Sequence, residues 1–253
     1  MPFGLTNAPS MFQATMNQIF AAYLQKFVIV FFDDILVYSA TMADHLIHLE
    51  QVLLCLQIHQ FFVKLSKCLF CKSSIEYLGH IISAMGVQAD PQKVTAMLEW
   101  PLSQSTKQLR GFLGLTGYYR RFICGYTSLA ASLTDLLCKD AFQWSPEATT
   151  TFESLKQAMV QAPVLKLPDF DSEFVIETDV SNVGIGAVLM QQGHLAAYFN
   201  KNIGPKLRAS STYLKELHVF VEAVTKWRQY LLGRFFVIRT DHRSIKELLQ
   251  QVI

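Results

Sequence analysis

No apolar run in this sequence reaches the roughly 20 residues that a membrane-spanning helix needs, and no basic-then-apolar leader opens it. Cysteine is scarce and odd in number: five in all, Cys55, Cys68, Cys71, Cys124 and Cys138, scattered over apolar segments. That argues against a disulfide scaffold and for a reduced, intracellular protein. No excess of either charge sign is present. Net charge is +2, with Lys+Arg 10 against Asp+Glu 9 in residues 1–140 and 12 against 11 in 141–253. Bulk charge therefore does not mark a polyanion binder, and any basic surface must be local. What is plentiful is apolar residues, 51% of 253, with a mean hydropathy of +0.25. That is enough for a large core and for two or three domains.

One stretch concentrates the chemistry: Val28–Tyr38, VIVFFDDILVY. Val28–Phe32 reads as a buried strand and Ile35–Tyr38 as the strand returning beside it. Asp33 and Asp34 lie between, with no Lys or Arg within six residues on either side and no carboxylate anywhere before them. Two ionised carboxylates in such a setting need a partner. A divalent cation at the tip of a tight hairpin facing a cleft satisfies them. The plainer alternative is a polar hairpin turn.

Around this stretch, Ser10 caps a helix over Met11–Leu24, with Phe12, Met16, Ile19, Phe20 and Tyr23 on one stripe. Thr41 caps a helix running to about His59. Phe62–Leu65 reads as a short strand and Ile75–Ser83 as a hairpin strand. Asp90-Pro91 opens a helix that Trp100-Pro101 ends. Thr106 caps the next, in which Gly111, Gly114 and Gly117 recur every three residues among Lys107, Arg110, Arg120, Arg121 and aromatic residues. Each glycine costs about 1 kcal/mol against Ala. Close approach of a nucleic-acid duplex to that face explains the pattern, and so does close helix packing. Ser145-Pro146 starts another helix. Phe174–Asp179, Gly184–Met190 and Leu195–Phe199 follow as strands. Ser211 or Thr212 caps a helix to about Leu232, Phe235–Thr240 is a strand, and Ser244–Gln250 is a last helix. Acids fall at element ends: Asp179, Glu216 and Asp241. Glu177 shares the side of Asp179 and rivals it for a metal. Ser181 and Asn182 shape the turn after it. A zinc site from His45, His48, Cys68 and Cys71 is disfavoured, because the histidines sit on a helix and the cysteines flank apolar Leu69 and Phe70.

The FFDD hairpin, with MPFGLTNAPSMFQ before it and LSKC, EYLGHII, RGFLGLTGYYRRF, ETDVS, KEL and RTDH after it, resembles the reverse transcriptase and ribonuclease H region of gypsy-type LTR retrotransposon pol polyproteins. The resemblance covers essentially the whole chain. The fold it implies is α+β. A partial palm of antiparallel sheet and helices spans 1–84, a helical thumb/connection 85–142, and a ribonuclease H-like mixed α/β domain, C-terminally truncated, 143–253. It implies RNA-directed DNA polymerase and RNA–DNA hybrid ribonuclease activities, with two Mg²⁺ (or Mn²⁺) ions per site and no zinc. The implied ligands are Asp33 and Asp34 in one site and Asp179, Glu216 and Asp241 in the other.

By the same resemblance Phe3 and Gly4 lie against the incoming deoxynucleoside triphosphate. Tyr77, Leu78 and Gly79 grip the primer terminus. Lys107, Arg110, Gly111, Gly114 and Tyr118 track the duplex. Lys64 and Lys67 fall beside the triphosphate, and His242 and Arg243 either touch phosphates or are solvated. The partners are an RNA template, a DNA primer and their hybrid; no membrane is expected, and the setting is cytoplasmic and particle-associated. The family's polymerase carries a further Asp upstream of the stretch present here, and its ribonuclease a fourth acid beyond Ile253. The alternative is therefore a catalytically dead relic that at most binds nucleic acid. A third option keeps weak ribonuclease activity alone. Neither a protease Asp-Thr/Ser-Gly signature nor an integrase zinc module is present.

Overall fold

The computed structural model describes residues 8–138, 141–181 and 184–240. The chain divides into two compact units, Met1–Tyr77 and Leu78–Ile253.

In the first unit, α1 spans Ala8–Ile19, β1 Val28–Phe31, β2 Asp34–Val37, α2 Met42–Ile58 and β3 Ser74–Tyr77. Helix α1 begins before the expected Ser10 cap. Pro9 falls in its first turn, where a missing N–H costs nothing. Thr41 does cap α2, accepting from the Asp44 amide. Strands β1 and β2 pair antiparallel, from Val28↔Val37 to Phe31↔Asp34. Met16 and Phe20 of α1, Val28 and Val30 of β1 and Val52 and Leu56 of α2 form one buried cluster. Strand β1 buries only this face: Ile29 and Phe31, on the other, are 42% and 46% exposed. The expected strand at Phe62–Leu65 is absent. Phe62 is 98% exposed, and a short 3-10 turn at Leu65–Lys67 follows instead.

In the second unit, β4 (His80–Ser83) and β5 (Gly86–Ala89) pair antiparallel. The run expected as one strand over Ile75–Ser83 is broken at Leu78 and Gly79, which both take positive φ, +50° and +69°. Gly86 is obligatory. Val87 and Leu165 exchange two backbone hydrogen bonds of 2.8 Å, and a Cβ on Gly86 would fall 2.2 Å from the Leu165 carbonyl oxygen. Helices α3 (Pro91–Leu98), α4 (Thr106–Tyr118), α5 (Tyr126–Leu129), α6 (Ala131–Asp135) and α7 (Pro146–Val160) follow. Asp90 and Ser145 cap α3 and α7 as expected, but Ser105, not Thr106, caps α4. These helices and β5 share a core that includes Met97, Leu109, Phe112, Tyr119, Leu133, Phe152 and Leu165.

The chain then builds a four-stranded sheet from β6 (Phe174–Val180), β7 (Gly184–Gln191), β8 (His194–Asn202) and β9 (Phe236–Arg239), ordered β8-β7-β6-β9. Pairing is antiparallel except between β6 and β9, which run parallel. After a short α8 (Pro205–Arg208), α9 (Thr212–Lys226) starts on a Ser211 cap. The expected single helix to Leu232 is interrupted at Trp227 before α10 (Arg228–Leu231). Val219, Ala223 and Trp227 pack with Phe174, Ile176 and Leu189 of the sheet. The Asn200 side chain on β8 joins sheet to helices, accepting from the Gly125 amide at 2.9 Å and donating to the Ile123 carbonyl at 3.2 Å.

Candidate active sites and nucleic-acid interface

The register Phe31↔Asp34 leaves Phe32 and Asp33 as the two turn residues of the β1–β2 hairpin. Phe32 adopts φ +50°, a costly value for an aromatic residue. Both aspartates are exposed, so the expectation that an apolar setting desolvates them does not hold. They stand at the solvent end of a strand pair that buries one face only. Two side chains that the sequence reasoning did not assign to the hairpin hold its backbone. The Phe32 amide donates to Gln13 Oε1 at 2.6 Å, while Gln13 Nε2 donates to the Val30 carbonyl at 3.2 Å and to Asn17 Oδ1 at 2.8 Å. The Tyr77 hydroxyl donates to the Asp34 carbonyl at 3.4 Å. Burial, and then the negative charge of Asp34, push the Tyr77 phenol up to about 12. The signal for Gln13 was available: an amide on α1 lies one and two turns before core residues Met16 and Phe20.

At the other end of this hairpin, His45 and His48 turn their Nδ1 atoms to Ser39 Oγ at 3.3 and 2.7 Å, and His48 lies flat on Phe27, ring centroids 3.8 Å apart. Cys68 Sγ bonds the Lys64 carbonyl at 3.4 Å. Among the described residues no three His, Cys, Asp or Glu side chains gather to hold a metal.

In the second unit the Leu78–Gly79 turn meets the end of α4. The Tyr118 hydroxyl donates to the Leu78 carbonyl and the Tyr119 hydroxyl to the Gly79 carbonyl, both at 2.7 Å. Lys107, Arg110, Gly114 and Tyr118 lie exposed along one face of α4. The three glycines divide. A Cβ on Gly111 would touch Trp100 at 3.4 Å and one on Gly117 the Tyr126 hydroxyl at 3.4 Å, whereas Gly114 has nothing within 4 Å. A side chain would thus make ordinary contacts at Gly111 and Gly117 and none at Gly114, where the surface is open and smooth.

On the sheet, Asp179 is exposed near the end of β6, opposite Gly186 of β7. Glu216, in the first turns of α9, is 5% exposed. Glu177 accepts from Arg239 at 3.2 Å across the β6–β9 pair. Thr178, between the two acids, holds its hydroxyl buried without a hydrogen bond. Ser181 closes the next turn, accepting from the Gly184 amide at 3.0 Å and donating to its carbonyl at 2.9 Å. Phe3, Gly4, Asn182, Asp241, His242, Arg243 and the expected helix Ser244–Gln250 lie outside the described residues.

Comparison with known proteins adds to this geometry. The family model described as reverse transcriptase (RNA-dependent DNA polymerase) matches residues 1–82. A second, described as an RNase H-like domain found in reverse transcriptase, matches residues 144–238. The chain is 39% identical over 250 residues to the retrovirus-related Pol polyprotein from transposon 297 of Drosophila melanogaster, covering 98% of this chain and 24% of that protein. It is 32% identical over 253 residues to the transposon Tf2-3 polyprotein of Schizosaccharomyces pombe, covering 97% and 19%. The chain therefore spans a quarter or less of these relatives. Among solved structures it is similar in fold, TM-score 0.87 at 21% identity, to a foamy viral protease-reverse transcriptase in complex with an RNA/DNA hybrid, over 99% of this chain and 35% of that one. The same score and identity hold for the dRH form in complex with ds DNA, over 100% and 45%.

Proposed function

We propose that this chain, which belongs to the reverse transcriptase and ribonuclease H region of retrotransposon pol polyproteins, contributes to RNA-directed DNA synthesis and to cleavage of the RNA strand of the resulting hybrid. The observation that carries the reading is the exposed Asp33–Asp34 pair on a hairpin turn whose backbone is tied to Gln13 and Tyr77. Adjacent carboxylates on a fixed turn suit nucleotidyl transfer, which needs charge placed rigidly beside a triphosphate. We assign the later palm to 1–84, the thumb/connection to 85–142 and the ribonuclease H-like domain to 143–253.

The donors fit a hard divalent cation. Asp33 and Asp34 in one site, and Asp179, Glu216 and Asp241 in the other, offer carboxylate oxygens only, the set that Mg²⁺ takes and that thiophilic metals do not. When bound, the cation supplies neutralisation of the developing charge on the reacting phosphate. The chain's own residues do the rest. Asp33 in the turn and Asp34 at the start of β2 present their oxygens from a hairpin end that Gln13 keeps in place. We assign Phe3 and Gly4 to the deoxynucleoside triphosphate, since a glycine lets backbone approach a ligand closely. Tyr77, Leu78 and Gly79 receive the primer end. Lys107 and Arg110 meet duplex phosphates, with Gly111, Gly114 and Tyr118 presenting the smooth face between them. The setting we propose is a reducing, particle-associated one, in keeping with five free cysteines.

The test uses the polyprotein that carries this chain, assayed for primer extension on an RNA template and for cleavage of a labelled RNA–DNA hybrid. Asp34→Asn is expected to abolish extension and spare cleavage, and Asp179→Asn the reverse. Hybrid binding with neither activity would overturn the enzymatic reading in favour of a nucleic-acid-binding relic.

A further inference from the structure

The backbone at Leu78 and Gly79 is both strained and heavily tied. Leu78 holds φ +50°, a conformation L side chains resist, and it is followed by Gly79 at +69°. Such a turn persists only if its surroundings over-determine it, and here they do. The Leu78 carbonyl receives the Tyr118 hydroxyl at 2.7 Å and faces His80 Nδ1 at 2.8 Å. The Gly79 carbonyl receives the Tyr119 hydroxyl at 2.7 Å and the Asp90 amide at 3.3 Å. The His80 ring is packed among Tyr118, Tyr119 and Phe122, at 5.3, 5.5 and 5.6 Å between centroids. A side chain at Gly79 would be strained at that φ, and its Cβ would come 3.1 Å from the Tyr119 hydroxyl, which would have to shift.

The two tyrosines differ in surroundings. Tyr119 is 1% exposed and belongs to the core that anchors α4, together with Leu109 and Phe112. Tyr118 is 53% exposed and ends the face that carries Lys107, Arg110 and Gly114. The pair therefore joins three things: the strained turn, the core of the second unit, and the exposed basic face of α4.

We propose that Tyr118 and Tyr119 are positioning residues that lock the Leu78–Gly79 turn to α4, so that a recessed 3′ end seated at the turn and the duplex lying along α4 are held in one register. This rests on the nucleic-acid reading above and adds to it a specific demand, that recognition of the duplex end depends on two hydroxyls that carry no charge. Loss of a hydroxyl loosens the turn but leaves every basic residue of α4 in place. Recognition of the end is then lost, while the general attraction to phosphates, and its dependence on salt, is kept.

The experiment measures affinity of the full 253-residue chain for two duplexes of equal length and charge, one with a recessed 3′ end and one blunt, over a salt series. The variants are Tyr118→Phe, Tyr119→Phe and the double variant, with Arg110→Ala as a charge control. Wild type is expected to prefer the recessed duplex. Each Phe variant is expected to reduce that preference about three- to tenfold, the range a single hydrogen bond spans, with the salt slope unchanged. Arg110→Ala is expected to weaken both duplexes alike and to flatten the slope. A preference unchanged in the Phe variants would overturn this inference alone, as would an equal loss for both duplexes. A wild-type chain that binds neither duplex would overturn the nucleic-acid reading itself. Thermal midpoints of the variants separate a lost register from a lost fold, since each keeps its buried or half-exposed ring.

Discussion

Glu177 and Arg239 are Cα partners across the parallel β6–β9 pair, and the guanidinium donates to the carboxylate at 3.2 Å. The pair sits two residues before Asp179 along β6, at the last residue of β9. Arg239 therefore occupies the one acid that sequence periodicity makes a rival to Asp179. Both partners are substantially exposed, so the bridge itself contributes about 1 kcal/mol or less. Glu177→Gln is accordingly expected to leave hybrid cleavage within about threefold of wild type, a change of less than 1 kcal/mol. If Asp179 holds the cation as proposed, Asp179→Asn should reduce it by about a hundredfold, at least what loss of an outer-shell partner costs. A labelled-hybrid cleavage series decides the matter, and comparable losses in both variants would assign Glu177 to the metal.

Gln13 holds the β1 side of the β1–β2 hairpin, accepting from Phe32 and donating to Val30. Gln13→Leu leaves the Phe32 amide without its acceptor and should cost about 1–2 kcal/mol. The direct readout is hydrogen exchange at the Phe32 amide. It should accelerate in Gln13→Leu and stay close to wild type in Gln13→Glu, which retains an acceptor. Unchanged exchange in both would remove Gln13 from the hairpin's support.

Elements whose ends are marked by local chemistry were legible in the sequence. Asp90-Pro91 and Ser145-Pro146 start α3 and α7, and the alternating runs of β6 and β7 are strands. The placement of Asp33 and Asp34 at a hairpin, of Asp179 near a strand end and of Glu216 in the first turns of a helix was legible too. Their environment was not, because the one-sided burial of β1 depends on which partners cover the hairpin, and local sequence does not carry that. The break at Leu78 was hidden for a related reason. A leucine gives no signal of positive φ, and the tyrosines that enforce it lie 40 residues away. Phe62–Leu65 has the composition of a strand but no partner strand to pair with, and composition cannot supply one.

Tyr77 provides a pH signature of the first unit. Its folded pKa is raised to about 12, by burial first and then by the Asp34 charge, from an ordinary value of 10.0. A raised pKa favours the neutral phenol in the folded state. Its contribution is fully present below about pH 10 and is lost as pH rises from 10 towards about 12. The difference in phenolate absorbance between wild type and Tyr77→Phe is expected to show one tyrosine titrating near 12. Denaturant midpoints of the wild type should fall more steeply over that window than those of Tyr77→Phe. Parallel midpoints would mean that the phenol is not held buried beside the Asp34 charge in solution.

Gly114 separates helix stability from ligand contact. An alanine there meets nothing within 4 Å, so Gly114→Ala removes a helix-interior glycine at no steric cost. It should raise stability by about 1 kcal/mol. If a duplex lies on this face, the same methyl holds it off, and affinity for primer–template should fall about tenfold while the protein becomes more stable. Gly86→Ala is the contrasting variant. There the new Cβ would fall 2.2 Å from the Leu165 carbonyl at φ +131°, so the Val87–Leu165 bonds must break and the second unit should be destabilised outright. Thermal melts with duplex titrations read both effects. A Gly114→Ala protein that is more stable and binds as tightly as wild type would show that no ligand approaches this face closely.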